Sequence, residues 1–355
     1  MQATETSPRS KPIEKHHIVS FPETQSAAAA IRNANLEWGV DLTPLSYGHA
    51  YGEPRPTGHF AVTRGDTEDL LGVVGSRYTP VQQSDLATLV DEALNYTLGC
   101  RNTSTEATQG RGVTAAGYFN LGKLVFLSVD LGTLKARYPD GTTDYRTAHA
   151  LIVNTHDGSS TLRVVPWERR VYCANQESAM KSAKALFVKH HTGGGSLHDD
   201  IVALGDCLGD SWHVLAERVQ QDERLMRERL RSARTERDVL DSLYREWYAR
   251  SLPPLPQDAS EEAALKRGRR EARRKTQVDA ALAAFHDPLV NRHSRPSMFE
   301  VLQAITALGT HGPTLEDIDS GTGHDGGRWK SVLLGRGAAF ADFSRRYLLS
   351  LCCEN

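Results

Sequence analysis

Ala148-His-Ala-Leu-Ile-Val-Asn154 and Thr161-Leu-Arg-Val-Val165, joined by His156-Asp-Gly-Ser159, decide the fold class. Both flanks are rich in β-branched and apolar residues, and the Asp-Gly pair supplies the positive φ that a tight reversal needs. An antiparallel hairpin is predicted. Upstream, Val113–Phe119 and Leu124–Val129 have the same strand-like character, and His59–Thr63 pairs with Leu70–Val74 in a second predicted hairpin around Arg64–Asp69. Tyr47–Gly58 reads as a segment broken by glycine and proline.

Helices are predicted among these strands. Ser26–Leu36 is a short alanine-rich helix. Ser84 is the N-cap of another, which places Leu86, Leu89, Val90, Ala93 and Leu94 on one face and stops at Gly99. Asn175–Val188 has helical composition, with Ala179, Ala183 and Leu186 turned inward and Lys181, Lys184 and Lys189 solvated. Beyond Leu197 the chain is almost entirely made of helix formers. Leu197–Arg250 offers Trp212, Leu215, Val219, Leu225, Met226, Leu230, Leu240, Leu243, Tyr244 and Trp247 as an inner face.

The expected fold is therefore α+β, with an antiparallel β-rich N-terminal half carrying packed helices and a mostly helical C-terminal half. The expected divisions are a disordered lead-in at 1–20, an α+β core at 21–196, and a helical segment at 197–250. A proline-rich linker and basic helix follow at 251–276, then a C-terminal helical segment at 277–355 that includes Met298–Leu308 and Gly335–Leu351.

With 355 residues and 39% hydrophobic content, a sizeable core is expected. The net charge of −2 neither favours nor excludes a nucleic-acid partner, so what matters is where the positive charge gathers. Five cysteines, an odd number with no Cys-x-x-Cys pair, indicate reduced thiols and a cytoplasmic setting. No apolar run is long enough for a bilayer, so no membrane association is expected.

Gly117-Tyr-Phe-Asn-Leu-Gly-Lys123 has phosphate-loop spacing, but Leu124 stands where magnesium needs a hydroxyl, and a strand follows instead of a helix. It is read as a chance match. His156-Asp157 has the composition of an acid/base or metal pair, but the stronger reading is a turn, with Asp157 accepting backbone amides and Gly158 in the left-handed region. Cys173 reads as a small buried hydrophobe rather than a nucleophile. No catalytic residue, metal or cofactor is assigned.

The order of these pieces resembles the "domain of unknown function 932" family. The resemblance rests on Asn35-Leu-Glu-Trp-Gly-Val40, Leu71-Gly-Val-Val-Gly-Ser-Arg-Tyr-Thr-Pro-Val-Gln82, His156-Asp-Gly-Ser159 and Arg170-Val-Tyr-Cys-Ala-Asn175, with Phe299–Ala307 and Arg328–Ala338. Its motif residues here are Trp38, Tyr78, Gln82, His156, Asp157, Gly158, Cys173 and Asn175. The resemblance implies a phage, prophage or plasmid setting and brings no established activity. The strands followed by the Asn175–Val188 helix are also similar in plan to phage single-strand annealing recombinases, which bind single strands in a basic groove as oligomeric rings.

Basic residues interleaved with rings are the strongest functional lead. Arg163, Arg169 and Arg170 on a predicted strand, with Lys181 and Lys184 beyond, are read with Tyr118, Phe119, Trp167 and Tyr172 as contacts to phosphates and bases. Lys266, Arg267 and Arg270 belong to a run with seven basic residues in ten positions. The expected function is ATP-independent binding and annealing of single-stranded DNA by a homo-oligomer. The alternatives are a metal-dependent hydrolase or nuclease centred on His156 and Asp157, or a non-catalytic phage regulatory or interaction protein.

Overall fold

Strand pairing in the computed structural model is antiparallel throughout. The structure describes residues 15–49, 52–100, 112–159, 162–170, 176–178, 196–230, 235–249, 260–288, 290–291, 297–311, 334 and 336–353. A six-stranded sheet has the order β1-β5-β6-β7-β8-β9, and a three-stranded sheet the order β2-β3-β4. The first is built from β1 (His16–Gln25), β5 (Val113–Phe119), β6 (Leu124–Arg137), β7 (Thr143–Thr155), β8 (Arg163–Arg170) and β9 (Gln176–Ser178). The second holds β2 (Val40–His49), β3 (Gly52–Arg64) and β4 (Leu70–Gly75).

The helices are α1 (Ala27–Asn33), α2 (Gln83–Cys100), α3 (Leu197–Arg227), α4 (Glu236–Ala249), α5 (Glu261–His286), α6 (Met298–His311) and α7 (Arg336–Cys353). The chain is thus α+β, with antiparallel sheets first and a mostly helical second half. No described helix is long and apolar enough to cross a membrane.

The decisive hairpin forms as β7–β8, with Gly158 at φ +74° in the connection. The phosphate-loop look-alike is β5, a 3₁₀ turn at Asn120–Gly122, and β6, so it presents no helix N-terminus.

Several expectations need correction. His16–Ser20 belongs to β1, paired with Phe119–Ala115, so the lead-in ends before it. Within Tyr47–Gly58, the described residues 47–49 and 52–58 belong to a β2–β3 ribbon rather than a broken segment. Pro54 and Pro56 are tolerated because β4 reaches only His59–Thr63, which leaves that part of β3 with one neighbour. Helix α2 begins at Gln83, one residue before Ser84, and runs past Gly99. Gln176–Ser178 is strand β9 rather than helix, and 179–188 lie outside the described residues. The basic helix continues past residue 276 to His286, because Val278, Ala281, Ala284 and Phe285 prolong its buried face.

One face of the large sheet, called inner here, carries Ala116, Val125, Leu127, Val129, Ala148, Ala150, Ile152 and Val164 into a core shared with the helices. Helix α3 lies across β6, β7 and β8. Helix α2 packs on α3, and its carboxylate Asp91 accepts the first amides of α1 (Ala27 N 2.6 Å, Ala28 N 3.1 Å).

At the far end this inner face becomes ionic. Arg146 of β7 binds Asp144 (3.0 Å), Glu168 of β8 (3.0 Å) and Asp222 of α3. Arg170 binds Asp144 (2.9 Å), Gln303 of α6 (2.5 Å) and the Tyr138 hydroxyl (3.1 Å). Arg345 of α7 shares Asp222, and Arg218 of α3 pairs with Asp342 of α7. Phe299 of α6 lies under the Arg146 and Arg170 guanidinium groups at 5.5 and 5.2 Å. Four arginines and four carboxylates, all buried, therefore join β7 and β8 to α3, α6 and α7.

Removing one member strands its partners without water. Asp222→Ala is expected to lower unfolding free energy by about 3–5 kcal/mol in urea titrations. Asp279→Ala, which breaks the exposed pair with Arg237, is expected to cost no more than about 1 kcal/mol. Equal, small effects would contradict a network that locks the two halves together.

Candidate nucleic-acid interface

Strand alternation sends every second residue of β6, β7 and β8 to the opposite, outer face. Over most of its area that face is closed by a second apolar cluster of Ala115, Phe119, Leu124, Phe126, Leu151, Val153, Val165 and Trp167, with Ile18 and Leu334 packed against it. Phe119 stacks on Phe126 at 5.1 Å and His149 on Trp167 at 4.4 Å.

Beyond that stack the outer face opens. A register shift between Asp130 and Gly132 carries β6 on to Arg137. Lys135 lies opposite Tyr145, Arg137 opposite Thr143, and Thr133 opposite Thr147, which in turn faces Arg169 of β8. Lys135, Arg137 and Arg169 are exposed, and Tyr145 is 38% exposed. Directly opposed side chains stand ~5 Å apart and diagonal ones ~7–8 Å at their bases, so one open ring is bordered by three cations on neighbouring strands. Glu223 of α3 accepts the Arg137 amide at 3.0 Å and faces Arg227 at 3.6 Å.

This open end differs from the face read from sequence. Arg169 is on it. Arg163 is on the same face but at the other end, opposite Val153, half-buried, with its pKa lowered by desolvation. Arg170 points inward and is consumed by Asp144, Gln303 and Tyr138. Tyr118 and Trp167 are buried and present no free ring face. Lys181, Lys184, Cys173 and Asn175 lie outside the described residues. On α5, Lys266 and Arg267 are exposed and Arg270 half-exposed.

Lys135, Arg137 and Tyr145 escaped the sequence reading. Their signal is the alternation in Leu134-Lys-Ala-Arg137 and Asp144-Tyr-Arg146, just past the segments recognised as strands.

The described family-motif residues gather elsewhere, where the small sheet meets the large one. Gln82 grips the Val40 backbone through both amide atoms, at 2.9 Å each. The Arg64 guanidinium lies between Trp38 (4.3 Å) and Tyr118 (4.9 Å). Trp38 meets His156 edge-on at 6.0 Å, and the Tyr78 hydroxyl donates to the Thr155 carbonyl at 3.4 Å. Burial, then the nearby Asp157 carboxylate, raises the Tyr78 pKa.

A side chain on Gly72 would run into the Asp157 backbone at 2.6 Å, so only glycine lets β4 and this turn touch. Asp157 spends its carboxylate on Ser159, at 2.9 Å to the amide and 2.5 Å to the hydroxyl, while His156 is completely buried. No three His, Cys, Asp or Glu side chains among the described residues gather to hold a metal ion.

His149, at the border of the open end, has its pKa pushed down to about 3 by burial and then by Arg169. Its ordinary value is 6.5, so between about pH 3 and 6.5 the unfolded chain binds the extra proton. Stability therefore rises with pH across that window and falls on acidification, by up to about 1.4 kcal/mol per unit. Urea midpoints are expected to drop from pH 7 to pH 5, and His149→Phe is expected to flatten the slope. An unchanged slope in the variant would place the acid sensitivity elsewhere.

No curated protein and no solved structure matches this chain. A family model, "Domain of unknown function (DUF932)", matches residues 70–322. That span takes in β4 to α6 and with them the open sheet face and the buried ion network except for Asp342 and Arg345 of α7, and the chain belongs to the DUF932 family.

Proposed function

We propose that this chain is a non-catalytic nucleic-acid-binding protein that holds single-stranded DNA on the open outer face of β6, β7 and β8, and that it promotes strand annealing. The observation that carries the reading is Tyr145, an exposed ring on a sheet, flanked by Lys135, Arg137 and Arg169. A flat ring stacks on any unpaired base, and cations at strand spacing follow the phosphates without reading sequence. A duplex keeps its bases stacked internally, so the ring favours the single strand. Threonine hydroxyls at 133, 143 and 147 line the same surface and add neutral donors and acceptors.

Binding of a labelled single strand across a salt series tests this. Tyr145→Ala is expected to weaken binding by about 1–3 kcal/mol, roughly 5- to 150-fold, with little change in salt dependence. Arg169→Ala is expected to lower the slope of log affinity against log salt by about 0.7. Absence of binding at low salt, or a Tyr145→Ala protein that binds as wild type, would falsify the reading.

A further inference from the structure

We propose that helix α5 carries a second phosphate-tracking surface, so that one chain holds two single strands of nucleic acid at once. The inference rests on the single-strand reading of the sheet face and extends it to a separate site.

Residues 266–275 hold seven basic side chains and one acidic one, Glu271. Arg274 is set apart from the others. It is buried, and it binds Asp241 of α4 as well as Glu271 (2.5 Å). Gln277 accepts the Tyr248 hydroxyl of α4 at 2.6 Å, and Val278, Ala281 and Phe285 are buried beneath. These contacts fix how α5 is rotated on its neighbours α4 and α6.

With that rotation fixed, Lys266, Arg269, Arg270 and Arg273 fall at i, i+3, i+4 and i+7, a single stripe along the helix. Lys266, Arg269 and Arg273 are exposed and Arg270 is half-exposed. The stripe runs ~10 Å, about three nucleotides at the rise of a stacked strand.

The same stripe weakens the helix that bears it. Lys266 with Arg270, and Arg269 with Arg273, are like charges at i, i+4. Gly268 lies inside this helix, where glycine is a poor helix former, yet no packed neighbour lies within 4 Å of where its side chain would be, so packing does not demand a glycine there. A polyanion relieves the charge repulsion. The only acid among these ten positions, Glu271, is already engaged by Arg274.

The two surfaces are on different elements: helix α5 packs on α4 and α6, whereas Tyr145 is on the outer face of the large sheet. One strand on each raises the local concentration of the second strand around the first, which is what annealing requires.

The test uses the full chain and a short labelled oligothymidylate, counting strands per chain at saturation by native mass spectrometry. Wild type is expected to take two. Lys266→Glu/Arg269→Glu/Arg273→Glu is expected to take one, with the remaining affinity within about twofold of the sheet site and annealing slowed. Tyr145→Ala/Arg169→Glu is also expected to take one, this time on α5.

A triple α5 variant that still takes two strands overturns the inference and leaves the sheet reading standing. Wild type saturating at one strand also overturns it. Loss of that strand in the sheet variant then keeps the sheet reading, and its loss in the α5 variant removes the sheet reading. No binding by wild type removes both.

Discussion

Asp222, clasped by Arg146 from the sheet and Arg345 from the last helix, is the constraint on which the rest of this structure depends. Charges sealed from water must be matched in number and geometry, so β7, β8, α3, α6 and α7 have to meet in one arrangement. Hydrophobic contacts alone would accept several ways of laying the helices on the sheet. The ion network makes wrong registers costly, because each would strand a guanidinium or a carboxylate in the core. Strand alternation then makes the network responsible for the outer face as well. With Asp144, Arg146, Glu168 and Arg170 turned in, Tyr145, Thr147 and Arg169 have no other direction but out.

The described family-motif residues sit where the two sheets meet. Gln82, Trp38, Arg64 and Tyr118 hold the three-stranded sheet against the edge of the large one, and the His156–Ser159 turn seals the seam against Gly72. His156 is wholly removed from solvent, and Asp157 bonds within its own turn. Exposed cations stand at the open sheet end, on Lys135, Arg137 and Arg169, and along α5, on Lys266, Arg267, Arg269 and Arg273.

How much was legible follows from what each signal encodes. The β7–β8 hairpin, the β3–β4 hairpin and the amphipathic face of α2 are local patterns, and they appear where the sequence puts them. Pro54 and Pro56 hid a ribbon because a proline is harmless on a strand with one neighbour, and sequence alone does not tell how many neighbours a strand has. The basic grouping was legible as a grouping but not by face. Arg169 and Arg170 are adjacent in the chain, yet one meets solvent and the other meets Asp144. The carboxylates that claim Arg146 and Arg170 come from β7, β8 and α3, and only the folded chain brings them together. Tyr145 went unnoticed because the recognisable part of its strand begins at Ala148.

The most direct measurement is photo-crosslinking of a bromodeoxyuridine-substituted single strand to the full chain, with the modified peptide identified by mass spectrometry. A crosslink on Tyr145 that fades as salt is raised and disappears with Tyr145→Ala is the predicted result. Efficient crosslinking confined to other segments, or none at low salt, contradicts a strand held on the open face of the sheet.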